Sequence, residues 1–189
     1  MAEALNREEQ KFLLRIAREA IENSVKGETL PKIELARLPE RLREKRASFV
    51  TLTLQNRLRG CIGTLDAYQS LAEDVQEHAV AAALMDPRFT PVQQTELSEI
   101  RVEVSALTPK TPLSYETPDD LPGALTPGVD GVVLQDGSRK ATFLPQVWEQ
   151  LPDPEQFLSH LCMKMGAPPD LWRKKQLQVS LYQVESFSE

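Results

Sequence analysis

The run Leu58-Arg59-Gly60-Cys61-Ile62-Gly63 sets a cation and a thiol two residues apart, between glycines. Side chains two apart on a strand share a face, roughly 7 Å from Cβ to Cβ, so Arg59 is expected beside the Cys61 sulfur. An adjacent cation favours the nucleophilic thiolate, and such a cysteine can attack an electrophilic carbon or carry a covalent intermediate. The structural reading is equally simple. A free cysteine packs as a small hydrophobe, and glycines in a strand mark close backbone approach or a bulge. Both readings stay open on these residues alone.

A second group is Asp86-Pro87-Arg88-Phe89. A carboxylate at a helix C-terminus meets the negative end of the dipole, so Asp86 is better placed if it pairs with Arg88 or caps an amide. In the plainer reading Pro87 stops the helix and Phe89 plugs the core. Asp130-Gly131 carries the same ambiguity, and either group can border a shared cleft. A Cys-His pair is not expected: His78 points into the core beneath the opposite face from Cys61, and nothing brings His160 to it. Two positions apart on a helix, His160 and Cys162 diverge, so they make no zinc site. Asp119-Asp120 reads as a capping or solvated pair, and the scattered glycines support no phosphate loop. No metal and no cofactor is expected.

These residues need elements to position them. Ser48 to Leu54 alternates as a half-buried strand, with Val50, Leu52 and Leu54 on one face and Phe49, Thr51 and Thr53 on the other. A three-residue loop, Gln55-Asn56-Arg57, sets Leu54 opposite Leu58, Leu52 opposite Gly60 and Thr51 opposite Cys61. A two-residue loop would set Leu52 against Cys61 and mismatch every pair. The expected hairpin therefore has three loop residues, with Asn56 or Arg57 left-handed, and places Cys61 on a polar strip with Thr51, Thr53 and Arg59.

Elsewhere, Asn6 with Glu9 caps a helix that stops near Gly27, followed by irregular chain with a short helical turn around Pro39 to Glu44. Ser70 with Glu73 caps a second helix, with Leu71, Val75, His78, Ala82 and Met85 on one face, ending at Asp86-Pro87. Arg101 to Leu107 alternates as a strand, and Thr108 to Gly128 reads as a proline-rich loop. Gly131 to Gln135 and Ser138 to Phe143 flank the turn Asp136-Gly137. Pro154 to Met165 is a helix closed by Gly166, and Gln176 to Val184 is a last strand. Hairpin, helix and strand thus occur twice in the same order. An α+β fold with antiparallel sheet pairing follows.

The 189 residues suffice for one substantial domain or two small lobes. A net charge of −6 gives no footprint for nucleic acid, and the basic run Arg37, Arg41, Arg43, Lys45 and Arg46 reads as a solvated face. Cys61 and Cys162 make no disulfide framework. With no apolar segment of signal or membrane-spanning length, the expectation is a reduced, cytoplasmic protein that engages no membrane.

Five segments in one order carry a resemblance: Leu58 to Gly63 after a Phe-Val-Thr-Leu strand, Asp86 to Phe89, Gly128-Val129-Asp130-Gly131, Ala141 to Trp148, and a helix ending Lys164-Met165-Gly166. Together they resemble the AMMECR-type domain family, whose hallmark Leu-Arg-Gly-Cys-Ile-Gly stands complete at 58 to 63. The match spans nearly the whole chain, so residues 1–189 are expected to form one such domain. The resemblance implies an α+β domain of two unequal lobes with internally related halves. It also implies partners, because prokaryotic members are similar to protein A of the AmmeMemoRadiSam set, associated with a Memo-like protein of dioxygenase-related fold and a radical S-adenosylmethionine protein. The expected function is a cysteine-bearing cleft in a component of a modification system. In it Cys61 and Arg59 act catalytically, and Thr51, Gly60, Gly63, Asp86, Arg88 and Asp130 bind substrate, the two glycines by letting it approach the backbone. The alternative is a non-catalytic interaction module using the same cleft.

Overall fold

The computed structural model describes residues 4–189. They form two compact units, one running to Thr108 and resuming over Glu185–Glu189, the other Pro109–Val184. The first unit contains α1 (Arg7–Lys26), the one-turn α2 (Glu40–Arg43), β1 (Ser48–Leu54), β2 (Arg57–Gly63), α3 (Leu71–Leu84) and β3 (Ile100–Leu107). The second contains β4 (Thr111–Pro112), β5 (Gly131–Asp136), β6 (Arg139–Phe143), α4 (Pro154–Lys164), α5 (Leu171–Lys174) and β7 (Gln178–Tyr182). A final strand, β8 (Val184–Ser188), returns to the first sheet, whose order is β2-β1-β3-β8. The second sheet has the order β4-β7-β5-β6.

Local chemistry accounts for the helices. Asn6 accepts the amides of Glu8 and Glu9 while the Glu9 carboxylate accepts the Asn6 amide at 2.8 Å, the reciprocal cap its sequence encodes. Gly27 closes α1 at φ 74°, where glycine has no Cβ penalty. The stripe Leu13, Ile16, Ala17, Ala20 and Ile21 is buried together with Leu71, Val75, Ala79 and Ala82 of α3 and Val50, Leu52, Val102 and Val104 of the sheet. The alanines let α3 sit almost on the strand backbone. A Cβ at Gly60 would stand 2.2 Å from the Ala82 carbonyl oxygen. In the second unit the core gathers around Leu134, Leu158, Leu161, Cys162 and Trp172, with Trp148 stacked on Phe157 at 3.7 Å between ring centroids.

The repeated order is a repeated topology. β1 lies between its hairpin partner β2 and the later β3, and β5 lies between β6 and β7, all antiparallel.

Four expectations need correction. The first hairpin has a two-residue tip, Gln55 and Asn56, both left-handed at φ 52° and 61°, because that geometry follows the twist of the strands. Arg59 is then an extra residue in β2, a β-bulge that restores the argued pairing of Thr51 with Cys61 and Leu52 with Gly60. Leu58 loses its apolar partner in consequence, standing opposite Thr53 and 44% exposed. Met85 does not share the buried face of α3; it lies beyond the last turn and is exposed. The last strand is two, because β7 and β8 pair in different sheets. The second hairpin turns one residue late, at Gly137-Ser138, with Asp136 paired to Arg139.

Candidate functional site

β2 is an edge strand, so backbone groups that point away from β1 have no neighbouring strand to bond. At Cys61 side chains replace that strand. The Cys61 amide donates to Asp86 Oδ2 at 2.8 Å, and the Cys61 carbonyl accepts from Arg88 Nη2 at 3.2 Å. Asp86 and Arg88 are themselves joined through Nε to Oδ1 at 2.9 Å and Nη2 to Oδ2 at 2.7 Å, and the Arg88 amide donates to Oδ1. Asp86 thus answers the adverse helix dipole by pairing and capping together, as its sequence position demands. The Arg88 fork is the main cause holding its carboxyl well below the usual range; burial opposes this, and the Cys61 and Arg88 amides add to it. Arg88 is held up chiefly by Asp86, and the Cys61 sulfur contributes a smaller Coulombic effect.

The sulfur has one further anchor. Thr51 Oγ1 donates to Cys61 Sγ at 3.2 Å across the hairpin, and Cys61 is partly buried. Thr51, Cys61, Asp86 and Arg88 therefore meet in one place.

Arg59 does not lie free beside the thiol. Its guanidinium forms a two-point pair with Glu96, Nε to Oε1 at 2.7 Å and Nη2 to Oε2 at 3.0 Å, and Nη1 donates to the Thr90 carbonyl at 2.9 Å. A carboxylate fork outcompetes a neutral thiol for a guanidinium. Glu96 is held below its ordinary carboxyl value mainly by Arg59. Phe89 lies under both cations, 5.6 Å from Arg88 and 6.0 Å from Arg59, and stands outside both core clusters instead of plugging one.

The glycines also differ from expectation. The space beside Gly60 holds the Ala82 carbonyl, and that beside Gly63 holds the Phe49 ring and the Ser48 carbonyl. The absent Cβ atoms therefore make room for groups of the protein itself. Asp130 belongs to the second unit, where its carboxylate accepts the Thr126 amide at 2.8 Å and its carbonyl accepts Trp148 Nε1 at 2.7 Å. His78 is buried as argued, but in a polar setting. Its Nδ1 is 3.0 Å from Asp74 Oδ2, which also accepts the Ser48 hydroxyl at 2.6 Å. Asp120 caps the Thr117 amide. Among the described residues, no three His, Cys, Asp or Glu side chains form a metal-binding group, and no helix is long and apolar enough to cross a membrane.

Sequence reasoning missed Glu96 and the Ser48-Asp74-His78 cluster. Gln93 followed by Glu96 carries a local capping signal, and the Gln93 amide does donate to Glu96 Oε2, but nothing local pairs Glu96 with a residue 37 positions earlier.

Comparison with known proteins gives the same architecture a family. The solved structure of the uncharacterised protein PH0010 from Pyrococcus horikoshii superposes with a TM-score of 0.79 at 36% identity, covering 98% of this chain and 93% of that one. A protein of Methanothermobacter thermautotrophicus is 41% identical over 98% of this chain and 96% of its own length. One from Methanopyrus kandleri is 38% identical over 100% and 92%. The AMMECR1 family profile matches residues 14–187, from within α1 to within β8 and through both units, and the chain belongs to the AMMECR1 family.

Proposed function

We propose that the Cys61 site is the working site of a component of a modification system acting with a Memo-like protein and a radical S-adenosylmethionine protein. The observation that carries this reading is the anchoring of one cysteine at three atoms: amide by Asp86, carbonyl by Arg88 and sulfur by Thr51. Such preorganisation holds a nucleophile at one point without reorganisation during the reaction. Arg88 replaces Arg59 as the cation next to the thiol, and Asp86 orients Arg88. In this reading the protein works in the reducing cytoplasm, where both cysteines stay thiols.

The test combines the chain with purified Memo-like and radical S-adenosylmethionine partners. Alkylation of the native protein, mapped by mass spectrometry to Cys61, should abolish the joint activity, and Cys61→Ser should do the same. A folded Cys61→Ser variant with full joint activity would overturn the reading.

A second reading, the non-catalytic adaptor, is favoured by one observation. The motif's own cation, Arg59, is turned onto Glu96 and Thr90 as a structural tie. An adaptor predicts that Cys61→Ala retains both partner capture and joint activity, whereas an enzyme component retains capture alone.

A further inference from the structure

Arg59 and Glu96 are both largely buried, at 13% and 20% side-chain exposure. Their pairing fixes where the Arg59 charge sits on the strand that also carries Cys61. The Glu96 carboxylate is itself held in place by the Gln93 amide at 2.7 Å, and the far end of Arg59 by the Thr90 carbonyl. We propose that Glu96 is a positioning residue for the Cys61 site: by capturing Arg59 it cancels the cation that the motif places two residues from the thiol.

Other charges near this face come from the chain after α3 and from β3. Asp86 and Arg88 follow α3 and form their own closed pair. Glu103 of β3 stands opposite Thr51, and Arg101 stands opposite Thr53. These charges are unchanged in variants at 59 and 96, so a four-way comparison isolates the pair. Removing the Glu96 charge leaves Arg59 uncancelled and favours the thiolate; removing Arg59 leaves Glu96 uncancelled and disfavours it.

The inference deepens the proposed working site, but its test reads thiol chemistry alone and needs no partner. The rate of iodoacetamide reaction at Cys61 is followed against pH by peptide mapping of the full chain and of Glu96→Gln, Arg59→Gln and the double variant. Glu96→Gln keeps an acceptor for the Gln93 amide, and Glu96→Ala serves as a second variant of the same sign. The inflection should fall in Glu96→Gln, with a rate at neutral pH up roughly three- to tenfold, where tenfold corresponds to one unit of pKa. It should rise in Arg59→Gln and return close to the parent in the double variant. Coincident profiles for all four folded proteins would overturn the assignment, as would a double variant that matches either single one. Joint activity that survives Cys61→Ser would remove the function proposed above and leave this result standing.

Discussion

The two units build the same three strands around different chemistry. Aligned by pairing, Thr51 with Cys61 in the first corresponds to Val133 with Thr142 in the second, and Leu52 with Gly60 corresponds to Leu134 with Ala141. Both cap the outward carbonyl of the equivalent edge residue with a cation near the end of the unit's helix, Arg88 at Cys61 and Lys164 at Thr142. Each also lays an aromatic ring beside a glycine, but one strand apart. Phe49 of β1 lies against Gly63 of β2, and Tyr182 of β7 lies against Gly131 of β5. From there the Tyr182 hydroxyl reaches Thr142 at 2.9 Å and the Phe143 carbonyl at 3.1 Å. The position equivalent to Cys61 is thus tied to a buried tyrosine. At this edge position, among the described residues, only the first unit has a bulge in the strand, an acid on the outward amide and a thiol. The scaffold is common to both units, and the candidate site is what the first adds to it.

The largest effect that tests this comparison concerns Gly60 against Ala141. Gly60→Val would drive side-chain atoms into the Ala82 carbonyl, so its denaturant midpoint should fall by about 3 kcal/mol or more in equivalent free energy. Ala141→Gly should cost only about 1 kcal/mol. Equal losses would show that helix and strand approach equally closely in both units and that Gly60 marks nothing special.

Removing the acid comes next. Asp86→Ala leaves the Cys61 amide and the Arg88 fork without their shared acceptor, which should destabilise by roughly 1–3 kcal/mol; half-exposed Arg88 tempers the ion-pair share. Its pH dependence has a definite sign. Because the folded carboxyl lies below its unfolded value, its stabilisation is full above about pH 4 and is lost as pH falls toward the folded value. Chemical denaturation from pH 6 to 2 should show a shallower acid slope in Asp86→Asn than in the parent. Parallel slopes would mean that Asp86 does not carry the edge of β2.

Transplanting the thiol sharpens the contrast further. In Thr142→Cys the new sulfur faces Tyr182, so native alkylation should be at least about tenfold slower than at Cys61. Cys162, whose thiol is pushed up by burial in α4, should react only on unfolding. Mass-spectrometric mapping reads all three sites in one sample, and comparable rates at 61 and 142 would erase the distinction between the units.

The smallest effect is Cys61→Ala, expected to change stability by no more than about 1 kcal/mol, since it removes one partly buried sulfur and leaves both backbone caps in place. Arg59→Ala should cost more, contrary to what its place on a polar strip suggests, because it strands Glu96. A thermal midpoint falling further for Cys61→Ala than for Arg59→Ala would make the thiol a packing element.

Much of this architecture is legible along the chain because its causes are local. The Asn6-Glu9 cap, the left-handed Gly27, the alternation from Ser48 to Leu54 and the paired hairpin, helix and strand segments each depend on residues a few positions apart. Parity alone required Thr51 to face Cys61, and it does. The route was different: the two-residue tip and the bulge at Arg59 satisfy strand twist and hydrophobic register together, a compromise invisible to either rule taken singly. What tertiary structure decided is where charged side chains close. Arg59 could reach the thiol or a carboxylate, and only folding brings Glu96 from 37 positions away to take it. Whether Gly60 and Gly63 opened toward a ligand or toward the protein likewise depended on α3 and Phe49 arriving beside them. The sequence by itself determined the strands, their faces and the helix ends, since backbone preference and burial act over short spans. The Asp86–Arg88 pair is readable two positions apart, but their hold on Cys61 and the partner of Arg59 were settled only by three-dimensional proximity, because long side chains choose among acceptors that the chain order does not bring together.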